Sequence, residues 1–246
     1  MSDSDYEPEY EPEVVDLPGG MHIKVMTLVP PPLEYMSALH DSGLEVSSRV
    51  VWTGSLLLCQ HLCLEPSRVR GSCLELGAGT GIVSIMLAKK GMGDSIVMTD
   101  GDDEALRLLR ENLTMNGLDI AVPPSYMWGN DDTQIESLRS FLGLPAPLNF
   151  DTILAGDVMY KPELPSLFFS SVSRLLSPSG TLYLCHIPRN GVTHELVVET
   201  CEGQGLSIVR DDSFAFEAEE NPTQLPPQAK MDDAVRAAVY KVTRTS

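Results

Sequence analysis

The sequence has no Cys-x-x-Cys pair, and its five cysteines (Cys59, Cys63, Cys73, Cys185, Cys201) are an odd number. Neither a zinc site nor a disulfide framework is expected from that spacing, and a reducing cytoplasmic or nuclear compartment fits. No apolar run approaches the roughly 20 residues that span a bilayer, so no membrane partner is expected. Basic residues are also scarce, with 17 Lys and Arg against 35 Asp and Glu and a net charge of −18. Seven of the acids fall in the first twenty residues, which hold no Lys or Arg. Phosphate-backbone binding needs clustered cations, so nucleic acid is not an expected partner, whereas a basic protein would be steered in. An acidic start also argues against a secretory signal or an Arg-rich transit peptide. The length of 246 residues, 43% of them hydrophobic, suits one α/β domain acting as a monomer.

The chain is organised around Cys73-Leu74-Glu75-Leu76-Gly77-Ala78-Gly79-Thr80-Gly81-Ile82. An apolar run ends after an acid, glycine then stands at every second position, and Ile82, Val83, Ile85, Met86 and Leu87 continue with helical character. Strand, glycine turn and helix form the opening unit of a sheet that binds a nucleotide-like ligand at its carboxyl edge. A dinucleotide turn reads G-x-G-x-x-G; here the third glycine comes one residue early and Ile82 sits where it would be needed. The G-x-G-x-G form after an acidic strand end resembles motif I of class I S-adenosylmethionine methyltransferases, which implies S-adenosyl-L-methionine as cofactor.

Residues 1–19 repeat Tyr-Glu-Pro-Glu, a composition that buries too little surface to offset ordering entropy, and a disordered acidic tail is expected. It reads as a docking tail or a solubilising extension. Residues 22–28 alternate like a half-buried strand, and Leu44–Val46 reads as another short one. After Trp52 an apolar helix runs to about Leu64, closing one side of a cleft with Trp52 at its mouth. From Ser72 strands and helices alternate: strands at 72–76, 95–99, 126–128, 150–155 and 181–186, helices at about 81–90, 102–115, 135–142, 164–176 and 193–203. The strands at 206–210 and 237–242 follow with no helix between them, across a long acidic loop at 211–236. Two closing strands without a crossover helix require an antiparallel last strand. The expected fold class is therefore α/β: a seven-stranded, mostly parallel Rossmann-like sheet with an antiparallel last strand and helices on both faces.

Several side chains carry candidate chemistry. Glu75 offers an acceptor for nearby N–H groups or the cofactor's amino group. Asp100, at a strand tip 25 positions after Glu75, suits both ribose hydroxyls. Trp128 offers a flat face for adenine. In Ala155-Gly156-Asp157-Val158-Met159-Tyr160, Asp157 suits an acceptor ammonium and Tyr160 a pocket wall, although Asp157 also reads as the cap of the next helix. His186 and His194 flank Pro188–Gly191 beside the presumed cleft and read as structural first.

Val51-Trp52, Glu75–Gly81, Thr99-Asp100, Asn112 and Asn116, Trp128-Gly129 and Asp157-Val158-Met159-Tyr160 together resemble family-16 seven-β-strand protein-lysine methyltransferases, over roughly residues 45–190. The resemblance implies a methyltransferase domain at 20–246, with an extension and cleft helix at 20–71 and a core at 72–246. It implies that Trp52, Glu75, Gly77, Ala78, Gly79, Asp100, Trp128 and Ala155 line the cofactor site, and that Asp157 and Tyr160 are the catalytic pair at the acceptor. The implied activity is methylation of a lysine on a non-histone protein substrate. The competing readings are a non-catalytic cofactor-binding interaction module and a methyltransferase for arginine, a small molecule or RNA. An arginine acceptor would want paired carboxylates, and Asp157 has no acidic neighbour within its motif.

Overall fold

The computed structural model describes residues 8–30, 47–211 and 225–245. An antiparallel hairpin (β1, Tyr10–Leu17; β2, Met21–Leu28) precedes the helix α1 (Thr53–Leu64). Then come β3 (Ser72–Leu76), α2 (Ile82–Lys90), β4 (Ser95–Thr99), α3 (Asp103–Met115) and α4 (Asp132–Leu142). The chain continues through β5 (Phe150–Gly156), α5 (Leu164–Leu175), β6 (Leu176–His186), α6 (His194–Gly203) and β7 (Leu206–Arg210). A one-turn helix, α7 (Met231–Ala234), leads into β8 (Ala238–Arg244).

Six strands pair in the order β4-β3-β5-β6-β8-β7; the first four run parallel, and β8 lies antiparallel to both β6 and β7. Both faces of the central strands are apolar, so the sheet is covered twice. Cys73, Leu154, Tyr183 and Cys185 pack with α1, α2 and α3, while Leu74, Leu76, Ile153, Leu182 and Leu184 pack with α5 and α6. The period of two along each strand divides the core in this way. The chain steps from β3 outward to β4 and then back to the other side of β3 at β5. That reversal opens a crevice at the carboxyl ends of β3, β4 and β5.

The mostly parallel sheet with its antiparallel last strand is the expected architecture, and the seventh position holds a reduced element. The strand expected at 126–128 is corrected: these residues form no strand, and Tyr126 N–H donates to the Asp100 carbonyl at 2.8 Å. Pro123-Pro124 just upstream lacks the donors a full ladder needs.

The expected disordered tail is corrected over residues 10–17, and a boundary at residue 19 would cut the hairpin in two. Tyr10 pairs with Leu28 and Leu17 with Met21, while Val15 and Leu17 are buried beside Ile23 and Val25. The physical reason lies at a distance, since β2 is itself docked on α3. Asn112 Oδ1 accepts the Met26 N–H at 2.6 Å, and the Asn116 amide donates to the Lys24 carbonyl at 2.6 Å. Pro12 sits on β1, an edge strand, where a missing donor breaks no ladder. Residues 1–7 and the strand expected at 44–46 lie outside the described residues. The expected loop at 211–236 is corrected where it is described. The Asp211 N–H donates to the Val239 carbonyl at 2.9 Å, and α7 is fastened when Lys230 N–H donates to Thr53 Oγ1 at 3.1 Å.

Candidate functional site

The turn after β3 is shaped by hydrogen bonds to its neighbours. Ala78 N–H donates to the Thr99 carbonyl at 2.9 Å, and Gly79 N–H to Asp100 Oδ2 at 2.8 Å. Asp100 Oδ1 accepts the Asp102 N–H at 3.0 Å, so the carboxylate bridges the ends of β3 and β4. Burial raises its pKa against the pull of those N–H groups. Gly77 has φ of 71°, and a Cβ there would stand 3.0 Å from Val158 Cγ1 and 3.1 Å from Trp128 Cζ2. Only glycine keeps that space open.

The space is a cavity of about 460 Å³. Trp52, Gly77, Ala78, Gly79, Asp100, Trp128, Asp157 and Tyr160, all expected from sequence, share its lining. Trp128 is braced edge-on by Phe168 with ring centroids 5.1 Å apart, and the following Gly129 N–H donates to Ser171 Oγ. Trp52 precedes the first turn of α1, and its indole N–H donates to the Ser47 carbonyl.

Asp157 follows β5 with φ of 61°, a conformation an aspartate tolerates at a cost of roughly 1 kcal/mol. Its N–H still reaches the Cys185 carbonyl at 2.8 Å, so the ladder to β6 holds while the chain inverts. Helix α1 comes close because Gly54 has no side chain: a Cβ there would lie 2.6 Å from Asp157 Cβ. The Asp157 carboxylate is buried, and burial pushes its pKa up to about 6 against the attraction of Arg189, with Asp233 adding to the rise. Asp157 does not cap the next helix, since α5 begins seven residues later and its N-terminal neighbour is Glu163.

Arg189 Nη2 donates to Asp157 Oδ2 at 2.6 Å. The guanidinium carbon stands 5.0 Å from the Trp52 ring centroid, within cation–π range. The same nitrogen is 3.9 Å from Asp233 Oδ2. A second cavity, of about 590 Å³, lies on this side, with Trp52, Arg189, Asp233 and Arg236 in its wall. Arg236 donates to the Pro188 carbonyl at 2.9 Å, which ties the segment after α7 to the loop after β6.

Two expected cofactor-lining residues stand behind the wall. Glu75 is buried, and its Oε2 accepts the Ser84 N–H of α2 at 3.0 Å; burial raises its pKa to about 7. Ala155 is fully buried in the core cluster on the α5 side. His186 is buried against the Val192 carbonyl, with His194 stacked edge-on beside it, and neither lines a cavity described above. Sequence reasoning missed Arg189 and Asp233. The turn Pro188–Gly191 was visible, but nothing local says that its arginine reaches a carboxylate 32 residues upstream.

A family model described as lysine methyltransferase matches residues 35–197. Among curated proteins, the chain is similar to Protein-lysine N-methyltransferase EFM3 of Chaetomium thermophilum, 27% identical over 198 residues, covering 78% of this chain and 56% of that protein. It is also similar to EEF1A lysine methyltransferase 3 of Mus musculus, 34% identical over 58% of this chain and 56% of that protein. The chain thus spans a little over half the length of these relatives. Among solved structures, it resembles a ribosomal protein L11 methylase from Lactobacillus delbrueckii subsp. bulgaricus. That match has a TM-score of 0.50 and 18% identity, covers 78% of this chain and 79% of the other, and speaks for the fold alone.

Proposed function

The chain belongs to the lysine methyltransferase family, and on that premise we propose that it uses S-adenosyl-L-methionine to methylate a lysine side chain of a protein. The observation that carries the reading is the meeting of Asp157, Trp52 and Tyr160 on one cavity with the Gly77–Thr80 turn and Asp100. About 460 Å³ is ample for a nucleoside-sized ligand. The residues fit such a group: a flat indole at Trp128, a carboxylate at Asp100 with lone pairs left for hydroxyls, and bare backbone at Gly77.

When bound, the cofactor supplies an electrophilic methyl group on a sulfonium, and S-adenosylhomocysteine leaves as the new C–N bond forms. The protein's part is alignment, since displacement needs the acceptor lone pair in line. A free lysine, with a reference pKa near 10.4, arrives protonated. Asp157 holds the ammonium through its carboxylate, at the edge of the cavity that it lines. Its raised pKa makes it a better proton acceptor than an ordinary carboxylate. Trp52 and Tyr160 wall the acceptor and keep water away. Glu75 acts from behind, fixing the start of α2 under the turn.

One observation favours a second reading. Asp233 supplies, from far along the chain, the acidic neighbour that the Asp157 motif lacks, and two carboxylates around a guanidinium would suit an arginine acceptor. Incubation with methyl-labelled cofactor and cell lysate, followed by hydrolysis of the labelled protein, separates the two. Methyl-lysine formed by wild type and not by Asp157→Ala is the expected result. Label in arginine or RNA, or no labelled protein, would overturn the lysine assignment. Five free cysteines among the described residues suit a reducing cytoplasmic or nuclear setting, and a monomer is proposed.

A further inference from the structure

The two cavities share Trp52, and between them stands the ion pair of Arg189 and Asp157: Asp157 lines the first cavity and Arg189 the second. A cation resting on a buried carboxylate and over an indole face occupies the geometry that an alkylammonium would itself adopt. We propose that Arg189 is a placeholder in the acceptor seat, that the second cavity is the way in for the lysine-bearing segment, and that the incoming ammonium displaces Arg189 toward Asp233. This rests on the methyltransferase reading of the site.

Three features make Arg189 the member that yields. Its contact with Asp157 is made through one nitrogen, while Arg189 Nε has no hydrogen-bond partner among the described residues. A bidentate fork would be much harder to open. The Arg189 side chain is 20% exposed and that of Asp157 only 2%, so the arginine has somewhere to go and the aspartate does not. The receiving carboxylate is already near, since Asp233 lies 3.9 Å from the moving nitrogen. The arrangement also selects. An Asp157 stripped of its cation would be an uncompensated buried charge, so only another cation replaces Arg189 at low cost. A neutral side chain arriving through the second cavity leaves Arg189 where it is. The seat therefore discriminates before any chemistry takes place.

The test is calorimetric titration of n-butylammonium, a lysine side-chain mimic, into full-length protein saturated with S-adenosylhomocysteine. Arg189→Met keeps the apolar stem on Trp52 and removes the competing charge. It is expected to bind n-butylammonium at least about tenfold more tightly than wild type, with ethylguanidinium competing for the same seat. Arg189→Lys retains a tethered cation and is expected to stay near wild type, so it controls for folding and for added volume. If the Met variant binds no more tightly than wild type, or the Lys variant gains as much as the Met variant, the placeholder is wrong although S-adenosylhomocysteine still binds. Failure of wild type to bind S-adenosylhomocysteine would instead overturn the function on which the proposal rests.

Discussion

The Asn112 amide donates to the Thr80 carbonyl at 2.9 Å, while its oxygen accepts the Met26 N–H. One fully buried side chain on α3 therefore joins the glycine turn to the hairpin. Asn112→Leu keeps the branched outline, with bulkier methyl ends, but orphans a buried carbonyl and a half-buried N–H. The expected loss of stability is about 3 kcal/mol, two hydrogen bonds plus the cost of leaving their partners unmet. Urea denaturation measures it, and an unchanged midpoint would refute the coupling. Weaker S-adenosylhomocysteine binding should accompany the loss, since Thr80 lines the same cavity as Gly77 and Asp100.

The same contact shows where sequence reasoning stops. Cys73–Gly81 and Phe150–Asp157 were legible because strand period, glycine spacing and an acid at the strand end are local signals. The fold followed, down to the antiparallel β8. The hairpin was not legible, because Tyr-Glu-Pro-Glu has the composition of a disordered segment and becomes a strand only beside β2, which is itself held by Asn112 and Asn116. The meeting of Asp157 with Arg189 and Asp233 was not legible for the same reason. They converge from β5, the loop after β6 and α7, and no pattern within any of those segments announces the meeting.

Substitutions of two glycines with similar backbones should separate strain from function. Gly77 and Gly117 both have positive φ, 71° and 69°. A side chain at Gly77 points at Val158 and Trp128, whereas at Gly117 no atom of the described residues lies within 4 Å. Gly77→Arg is expected to abolish S-adenosylhomocysteine binding in calorimetry with the fold retained by circular dichroism. Gly117→Ala should cost about 1 kcal/mol of stability and leave that affinity unchanged. Equal binding by the Gly77 variant would mean that the turn does not face the ligand.

Glu75 sets a pH dependence of stability. Burial raises its pKa from 4.5 to about 7, with the Ser84 N–H opposing and Asp100 adding to the rise. The folded state favours the protonated form, so this contribution is fully present below about pH 4.5 and is lost as pH rises through about 7. Glu75→Gln keeps an oxygen for the Ser84 N–H and removes the titration. Thermal melts at pH 5 and pH 8 should show the variant gaining on wild type at the higher pH, by a few kcal/mol. A wild-type protein that responds to pH in the same way as the variant would refute the assignment.

Asp157 should set the acid limb of methylation. Its pKa is raised to about 6, chiefly by burial; Arg189 and Arg236 oppose the rise and Asp233 adds to it. The carboxylate must be ionised to seat an ammonium and take up its proton, so the rate at subsaturating acceptor should climb through about pH 6 and then level. Removing the opposing guanidinium in Arg189→Met raises the pKa further and shifts the limb to higher pH. Removing the adjacent negative charge in Asp233→Asn shifts it to lower pH. The two displacements have opposite signs, which a general loss of packing would not produce. Initial rates with a labelled methyl donor from pH 5 to pH 9 measure all three proteins, and limbs that coincide would mean that Asp157 is not the group titrating.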